Sequence, residues 1–245
     1  MKTRLILAAA LILGSSSASA IDFGVGVKAG TVGFGADLSF VVSQTVNVRA
    51  SFTQADFNES DTITLEDADN QANIDADLNV EFGSSALLLD WYVFDGTFHV
   101  TAGMMKNDSS ATLTGNLTGG TATIEGKTYN IATAFQNNGA MTGRLNFGDS
   151  YEPYLGIGWG RKADDDPGLS LSFEIGVVMM DPSVDLTAPN LNGATVTATD
   201  AQGNTITVDA DTLQTDVTAA EATANQDLED FELYPVISLG LNYAF

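Results

Sequence analysis

Apolar residues alternate with small or polar residues along much of the chain. Every second residue is apolar in FHVTAGM at 98–104, and the same holds for ISLGLNYAF at 237–245. A period of two indicates β-strands whose two faces meet different environments. The pattern predicts ten strands, at about 22–29, 32–43, 46–57, 74–94, 97–108, 139–148, 153–162, 168–180, 184–190 and 231–245.

The fourth predicted strand changes the phase of its alternation. Leu78, Val80 and Phe82 are apolar at even positions, whereas the apolar residues Leu87 and Leu89 stand at odd positions. A shift of one residue moves every side chain to the other face of a sheet. We therefore expect a β-bulge around Gly83-Ser84-Ser85 that restores one common apolar face.

The less apolar face of these strands distinguishes a membrane barrel from a soluble sandwich. It is rich in Gly, Ser, Thr and Asn, and it carries isolated charges rather than many Lys and Glu residues. Small residues and paired charges suit the interior of a narrow barrel whose apolar face meets lipid. The sequence predicts an all-β fold, a transmembrane antiparallel β-barrel of about ten strands. Eight is the alternative, if the first short strand or 184–190 lies outside the wall.

The links between the predicted strands fall into two classes. Short links stand at 43–45, 95–96, 148–152 and 181–183, and longer ones at 58–75, 109–138, 162–168 and 190–230. Alternating short and long links are typical of outer-membrane barrels, with short periplasmic turns and long external loops. Within the long links we expect hairpins at 123–129 and 194–208 and a short helix in 212–230.

The first twenty residues, MKTRLILAAALILGSSSASA, have the pattern of a secretory signal peptide. Lys2 and Arg4 precede a short apolar run, and the small residues before Ile21 predict cleavage between Ala20 and Ile21. We expect residues 1–20 to be the signal peptide and residues 21–245 to be one barrel domain. The expected location is the cell outer membrane, with the barrel as an integral protein.

Charge excludes one class of partner. Loss of Lys2 and Arg4 would leave 7 basic against 32 acidic residues, a net charge of −25. Such a chain is a poor ligand for nucleic acid, because both carry negative charge.

The last eight residues, SLGLNYAF, carry a resemblance to a known group. The chain resembles the small outer-membrane β-barrel proteins of Gram-negative bacteria, the broad OmpA/OmpW-like group, as a member of unassigned role. The resemblance implies an assembly signal at Ser238, Gly240, Tyr243 and Phe245 that the outer-membrane assembly machinery reads. It also implies outer-membrane lipid and lipopolysaccharide as neighbours, and it implies no activity.

Several charges stand on the face predicted to line the lumen. We expect them to form a charge network of Lys28, Asp37, Arg49, Glu81, Asp90, Arg144 and Glu174. Buried ions need partners, because an unpaired ion loses several kcal/mol of hydration. The network is compatible with a plugged lumen and with a narrow path for ions or small solutes. A barrel of eight to ten strands is too narrow for an open porin.

The sequence predicts no catalytic residue, cofactor or metal site. Its single histidine, His99, follows a predicted short turn and faces the lumen, and no GxSxG element is present. Acidic clusters at 66–69, 75–77, 164–166 and 209–211 lack the spacing of a calcium-binding loop. Weak binding of divalent cations at these loops remains an alternative to a solvated surface.

The function favoured by these patterns is non-enzymatic: a structural barrel or a narrow channel. The alternative is an adhesin-like or receptor-like barrel that binds partners through its acidic external loops. A lipid-modifying barrel enzyme is the least favoured hypothesis.

Overall fold

The computed structural model describes residues 22–67, 70–94, 96–124, 127–130, 141–160, 167–187, 195–200 and 202–245. The predicted signal peptide and its cleavage site at Ala20 and Ile21 lie outside these residues, as does the acidic cluster at 164–166. Among the described residues, no helix combines the length and the hydropathy needed to cross a membrane.

The structure is dominated by antiparallel strands. Their bounds are β1 Phe23–Gly30, β2 Gly33–Ser43, β3 Val46–Asp67, β4 Asn70–Tyr92, β5 Phe98–Asn107, β6 Ser110–Ile124, β7 Lys127–Asn130, β8 Met141–Asn146, β9 Tyr151–Trp159, β10 Gly168–Met179, β11 Ser183–Thr187, β12 Val196–Thr199, β13 Thr205–Val208 and β14 Leu233–Ala244. A helix, α1, spans Ala210–Leu228.

Eight of these strands close into a ring in the order β1-β2-β3-β4-β5-β9-β10-β14. Pairs such as Val25 with Tyr243 join β14 to β1 and close it. The all-β barrel prediction is therefore confirmed with the alternative count of eight. The predicted strands at 139–148 and 184–190 lie outside the ring, because β8 pairs with β6 and β11. The short first strand belongs to the wall.

The outer face of the ring is a band of exposed apolar side chains. Leu171 is 79% exposed and Phe34 63%. An apolar surface of this extent is unstable in water and matches the lipid-facing band of a membrane barrel. Many inward-pointing positions are polar and buried, as at Asn47, Ser51 and Thr101.

The ring has two different ends. At the terminal end β1 begins and β14 ends, and the links from β2 to β3, β4 to β5 and β9 to β10 also lie there. At the opposite end, the loop end, β5 leads into β6, and β10 leads into β11. The expected side is therefore wrong for the links at 148–152, 162–168 and 181–183, because β8 and β11 do not cross the wall.

The same sheet continues beyond the loop end of the ring. Beyond Gln54 and Gly83, β4 no longer pairs with β5 and pairs instead with β6, from Glu81 opposite Ser110. β6 then pairs with β8, and β8 with β11. We call the distal halves of β3 and β4 together with β6, β8 and β11 the loop-end sheet.

The expected bulge at Gly83-Ser84-Ser85 does not occur. β3 and β4 pair without a register shift from Val46 opposite Trp91 to Asp67 opposite Asn70. The apolar residues move from odd to even positions, while successive side chains continue to point to opposite faces without interruption. Above the ring, Leu78 and Phe82 therefore stand on the same face of the sheet as the lumen-lining Asp90.

The predicted hairpins and helix are confirmed. β6 pairs with β7, and β12 with β13. α1 covers the outer edge of β11 with side chains. The Asn225 side chain accepts from Val184 N and donates to Val184 O, both at 2.8 Å, and Glu221 Oε2 accepts from Leu186 N at 2.7 Å. These bonds satisfy a strand edge that would otherwise be open.

Candidate functional site

The site with the most chemistry is the interior of the ring, and Arg49 lies at its centre. Arg49 stands on an inward position of β3 beside Asp90 of β4. Its Nε lies 2.8 Å from Asp90 Oδ2 and its Nη2 lies 3.0 Å from Asp90 Oδ1. This two-bond geometry is the strong form of an arginine–carboxylate pair.

The same guanidinium spans the lumen. Arg49 Nη2 donates to Glu174 Oε2 at 2.5 Å. Glu174 stands on β10, which lies four strands from β3 in either direction around the eight-stranded ring. The Arg49–Glu174 ion pair therefore joins opposite walls of the barrel and crosses the lumen.

Further polar groups complete the cluster. Arg49 Nη1 lies 3.4 Å from Asp37 Oδ2, and Lys28 Nζ lies 3.1 Å from Asp37 Oδ1. Thr101 Oγ1 donates to Asp90 Oδ1 at 2.7 Å, and the Tyr154 hydroxyl donates to Glu174 Oε1 at 2.5 Å. Two cations thus face three carboxylates, and each carboxylate has a charged partner.

The structure brings together five of the seven residues predicted for this network: Lys28, Asp37, Arg49, Asp90 and Glu174. It does not bring in Glu81 and Arg144, which are exposed on the loop-end sheet. Arg144 Nε donates instead to Asn146 Oδ1 at 2.7 Å. The expected bulge would have turned Glu81 inward; without it, Glu81 stands on the outward face beyond the ring.

An apolar layer lies inside the barrel on the loop-end side of the ions. It consists of buried side chains that point inward near the loop end: Val32, Ala86, Leu88, Met105, Tyr154, Val178 and Val236. Val178 is completely buried. Gly176 makes room for the Tyr154 ring, because a Cβ at this position would overlap the tyrosine hydroxyl. The sequence-based prediction missed this layer.

A small cavity lies next to the ions and extends toward the terminal end. Its volume is about 50 Å³, and its lining includes Arg49, His99, Ser170 and Asn242. Such a volume holds only a few water molecules. The described side chains around the ions therefore leave little free volume in this part of the lumen.

His99 is buried in this cavity wall. Its Nδ1 lies 3.3 Å from the carbonyl oxygen of Thr97, and its ring lies 5.0 Å from that of Tyr92. Asp90, His99 and Glu174 offer ligand atoms within 4.8 Å of one another, which is compatible with a metal ion. The carboxylate oxygens, however, already accept bonds from Arg49, Thr101 and Tyr154. The arrangement thus fits an internal counter-ion network better than a metal centre.

The predicted assembly-signal residues Ser238, Gly240 and Tyr243 lie on β14, the strand that closes the ring. Phe245 follows it, and its N–H donates to Phe23 O at 3.1 Å. The two phenylalanine rings stack at 4.6 Å. The segment therefore forms the seam between the first and last strands of the ring.

Comparison with solved structures identifies the architecture. CarO2 of Acinetobacter baumannii matches 92% of this chain and 99% of its own, with 19% identity and a TM-score of 0.53. CarO of Acinetobacter baumannii matches 91% of this chain and 97% of its own, with 18% identity and a TM-score of 0.51. This chain has the fold of an outer-membrane β-barrel protein.

At this identity the likeness shows the fold alone. No protein-family model matches the chain, and no curated protein sequence matches it. Both of these structures are CarO barrels, and neither tests the resemblance to the OmpA/OmpW-like group, which stays a prediction.

Proposed function

We propose that the chain is an integral protein of the outer membrane whose barrel is a closed, non-conducting anchor. The terminal end faces the periplasm, and the loop end faces outward. The exposed apolar band of the ring supports the membrane location, since only lipid covers such a surface favourably. Lipid and lipopolysaccharide would then surround the ring.

The observation that carries the closed state is the Arg49–Glu174 ion pair across the lumen. A solute path would require this pair to separate and the apolar layer around Leu88 and Val178 to move aside. Breaking the pair would leave the buried Glu174 carboxylate without its cation, which costs several kcal/mol. The narrow-channel hypothesis therefore needs a rearranged lumen.

Conductance measurement tests this proposal. The protein is refolded in detergent, its native state is verified by heat-modifiable gel mobility, and it is inserted into planar lipid bilayers beside an open porin as positive control. We expect no discrete current steps. Reproducible steps from the wild-type protein would overturn the closed barrel and favour a narrow ion channel.

A second candidate function is binding at the outer surface. The loop-end sheet, β7, β12, β13 and α1 form an ordered structure outside the wall, which a purely structural barrel does not need. The acidic side chains there are also the proposed place for divalent cations. Isothermal titration with calcium tests that part; an absence of heat at millimolar calcium would argue against it.

The proposed assembly signal has its own test. Removal of Phe245 takes away one ring of the stacked pair at the seam and the last position of the motif. We expect lower amounts of folded protein in the outer membrane, while refolding in detergent persists. Equal loss in both settings would indicate a structural role rather than recognition by the assembly machinery.

A further inference from the structure

The distal half of β3 is an open sheet edge. β2 pairs with β3 only as far as Gln54, whereas β3 continues from Ala55 to Asp67 with β4 on its other side. Among the described residues, no strand pairs with the β2 side of residues 55–60, and we call this stretch the free edge. Proteins usually cover or shorten such edges, because unpaired backbone groups accept an added strand.

An apolar surface lies beside this edge. Phe57 is 55% exposed, and its ring meets that of Phe82 edge to face at 5.9 Å. Leu78 and Leu113 continue the same face across β4 and β6, with exposures of 41% and 46%. Together they form an apolar strip that runs away from the free edge. An exposed apolar surface of this kind marks an interaction site.

The charge around the edge selects the occupant. Residues 53–83 contain nine acidic residues and no lysine, arginine or histidine. Asp56 and Glu59 are both exposed on the free-edge strand, and they point to opposite faces. A second copy of this edge would place acid against acid, and anionic lipid headgroups would be repelled as well.

We propose that the free edge of β3 binds an extended cationic peptide segment as an added strand. Backbone hydrogen bonds to residues after Gln54 supply affinity without sequence preference. A bulky apolar side chain of the peptide covers Phe57, and lysine or arginine side chains pair with Asp56 and Glu59. The proposal rests on the second candidate function, binding at the outer surface.

The first experiment uses a defined probe. A fluorescein-labelled decapeptide with the repeat Lys-Val-Lys-Lys, which places lysines on both faces of a strand and valines on one, is titrated into refolded protein in zwitterionic micelles. Binding is followed by fluorescence anisotropy. Saturable binding is expected. A peptide with the same sequence but N-methyl groups on alternate backbone amides cannot pair as a strand, and it should bind at least about tenfold more weakly. Equal affinity for both peptides would refute strand addition.

Variants then locate the site. The double substitution Asp56→Lys with Glu59→Lys reverses both edge charges, and we expect affinity to fall on the order of tenfold at low salt. The matched control, Asp227→Lys with Glu229→Lys, makes the same charge change at exposed positions on and just after α1. The control should change affinity less than about twofold. An equal loss in both would show that net charge alone attracts the peptide.

Phe57→Ser tests the apolar contact without changing charge, and it should weaken binding several-fold while gel mobility stays native. Unchanged affinity in this variant would contradict the assignment of the strip. The outcome is independent of conductance: a closed barrel that fails to bind the peptide would refute this inference and leave the closed anchor intact.

Discussion

The ring and the loop-end sheet share two strands, β3 and β4, yet the faces of these strands have opposite polarity in the two regions. In the ring, Leu87 and Leu89 of β4 point outward and are exposed, whereas Asp90 points inward. Above the ring, Leu78 and Phe82 stand on the inward face, and Glu81 stands on the outward one. The register between β3 and β4 does not change between the two regions.

The surroundings explain the reversal. In a membrane the outward face meets lipid and must be apolar, while the lumen can hold paired ions. In water the outward face must be polar, and the apolar side chains move to the other side. A continuous hairpin that passes from lipid into water therefore reverses its pattern without any irregularity in the backbone.

The largest predicted difference between the two regions concerns their arginines. Arg49→Ala removes the cation shared by Asp90, Glu174 and Asp37, and we expect a loss of about 3–5 kcal/mol in unfolding free energy. Arg144→Ala, at an exposed position of the loop-end sheet, should cost less than about 0.5 kcal/mol. Urea unfolding from lipid vesicles measures both. Similar losses would contradict a buried network confined to the ring.

Next in size is the effect of charge on the two apolar faces of β4. Leu87→Arg places a cation on the lipid face of the ring and should destabilise it by about 2–4 kcal/mol. Leu78→Arg, nine positions earlier, places the same cation at a water-exposed site and should cost about 1 kcal/mol or less. The same urea assay compares the two variants. A larger loss of unfolding free energy at position 78 would show that the membrane boundary assigned here is wrong.

A smaller effect is expected at the covered edge of β11. Asn225→Ala removes two hydrogen bonds to the backbone of Val184, and it should weaken the loop-end sheet locally by about 1–2 kcal/mol. Hydrogen exchange should accelerate in β11 and stay unchanged in the ring. The exposed neighbour Gln226→Ala is the control. Faster exchange throughout the ring would mean that the two regions unfold as one unit.

The smallest effect concerns pH at the start of α1. Hydrogen bonds from the side chain and backbone N–H of Thr212 lower the pKa of Asp209 from its ordinary value of 3.8. The stabilisation is therefore fully present above pH 3.8 and is lost as pH falls through the lowered pKa. The Thr212 amide resonance should report this change. Asp209→Asn keeps an acceptor but does not titrate, so an identical pH response in that variant would contradict the assignment.

The strands of the ring and their lipid-facing sides could be predicted from the sequence. Where a whole strand lies within the membrane, the apolar positions of its alternation mark the lipid-facing side. The number of wall strands does not follow. β8 alternates like a wall strand, yet it pairs with β6 and β11, and periodicity does not specify neighbours. The expected side is wrong for the links at 148–152, 162–168 and 181–183 for the same reason.

The phase change in β4 had two physical explanations, a bulge within one environment or a continuous strand through two. Choosing the bulge turned Glu81 toward the lumen, where it does not lie. The inward charges Arg49, Asp90 and Glu174 were predictable, because they stand between apolar positions that face lipid and so must point into the lumen. The apolar layer was detectable too, since unbroken runs such as Leu87-Leu88-Leu89 place one apolar residue inward.

The reversal of faces is most directly tested by spin labels along β4. The chain contains no cysteine, so single cysteines can be introduced at each position from 76 to 91 and labelled without background. Oxygen concentrates in lipid, so the collision rate of the labels with oxygen should peak at odd positions from 85 to 91. At odd positions from 77 to 83, oxygen collisions should be infrequent, and collisions with a water-soluble nickel chelate should be frequent instead. A lipid-type signal that switches to even positions and persists to Leu78 would contradict the account and indicate a bulged strand that stays within the membrane.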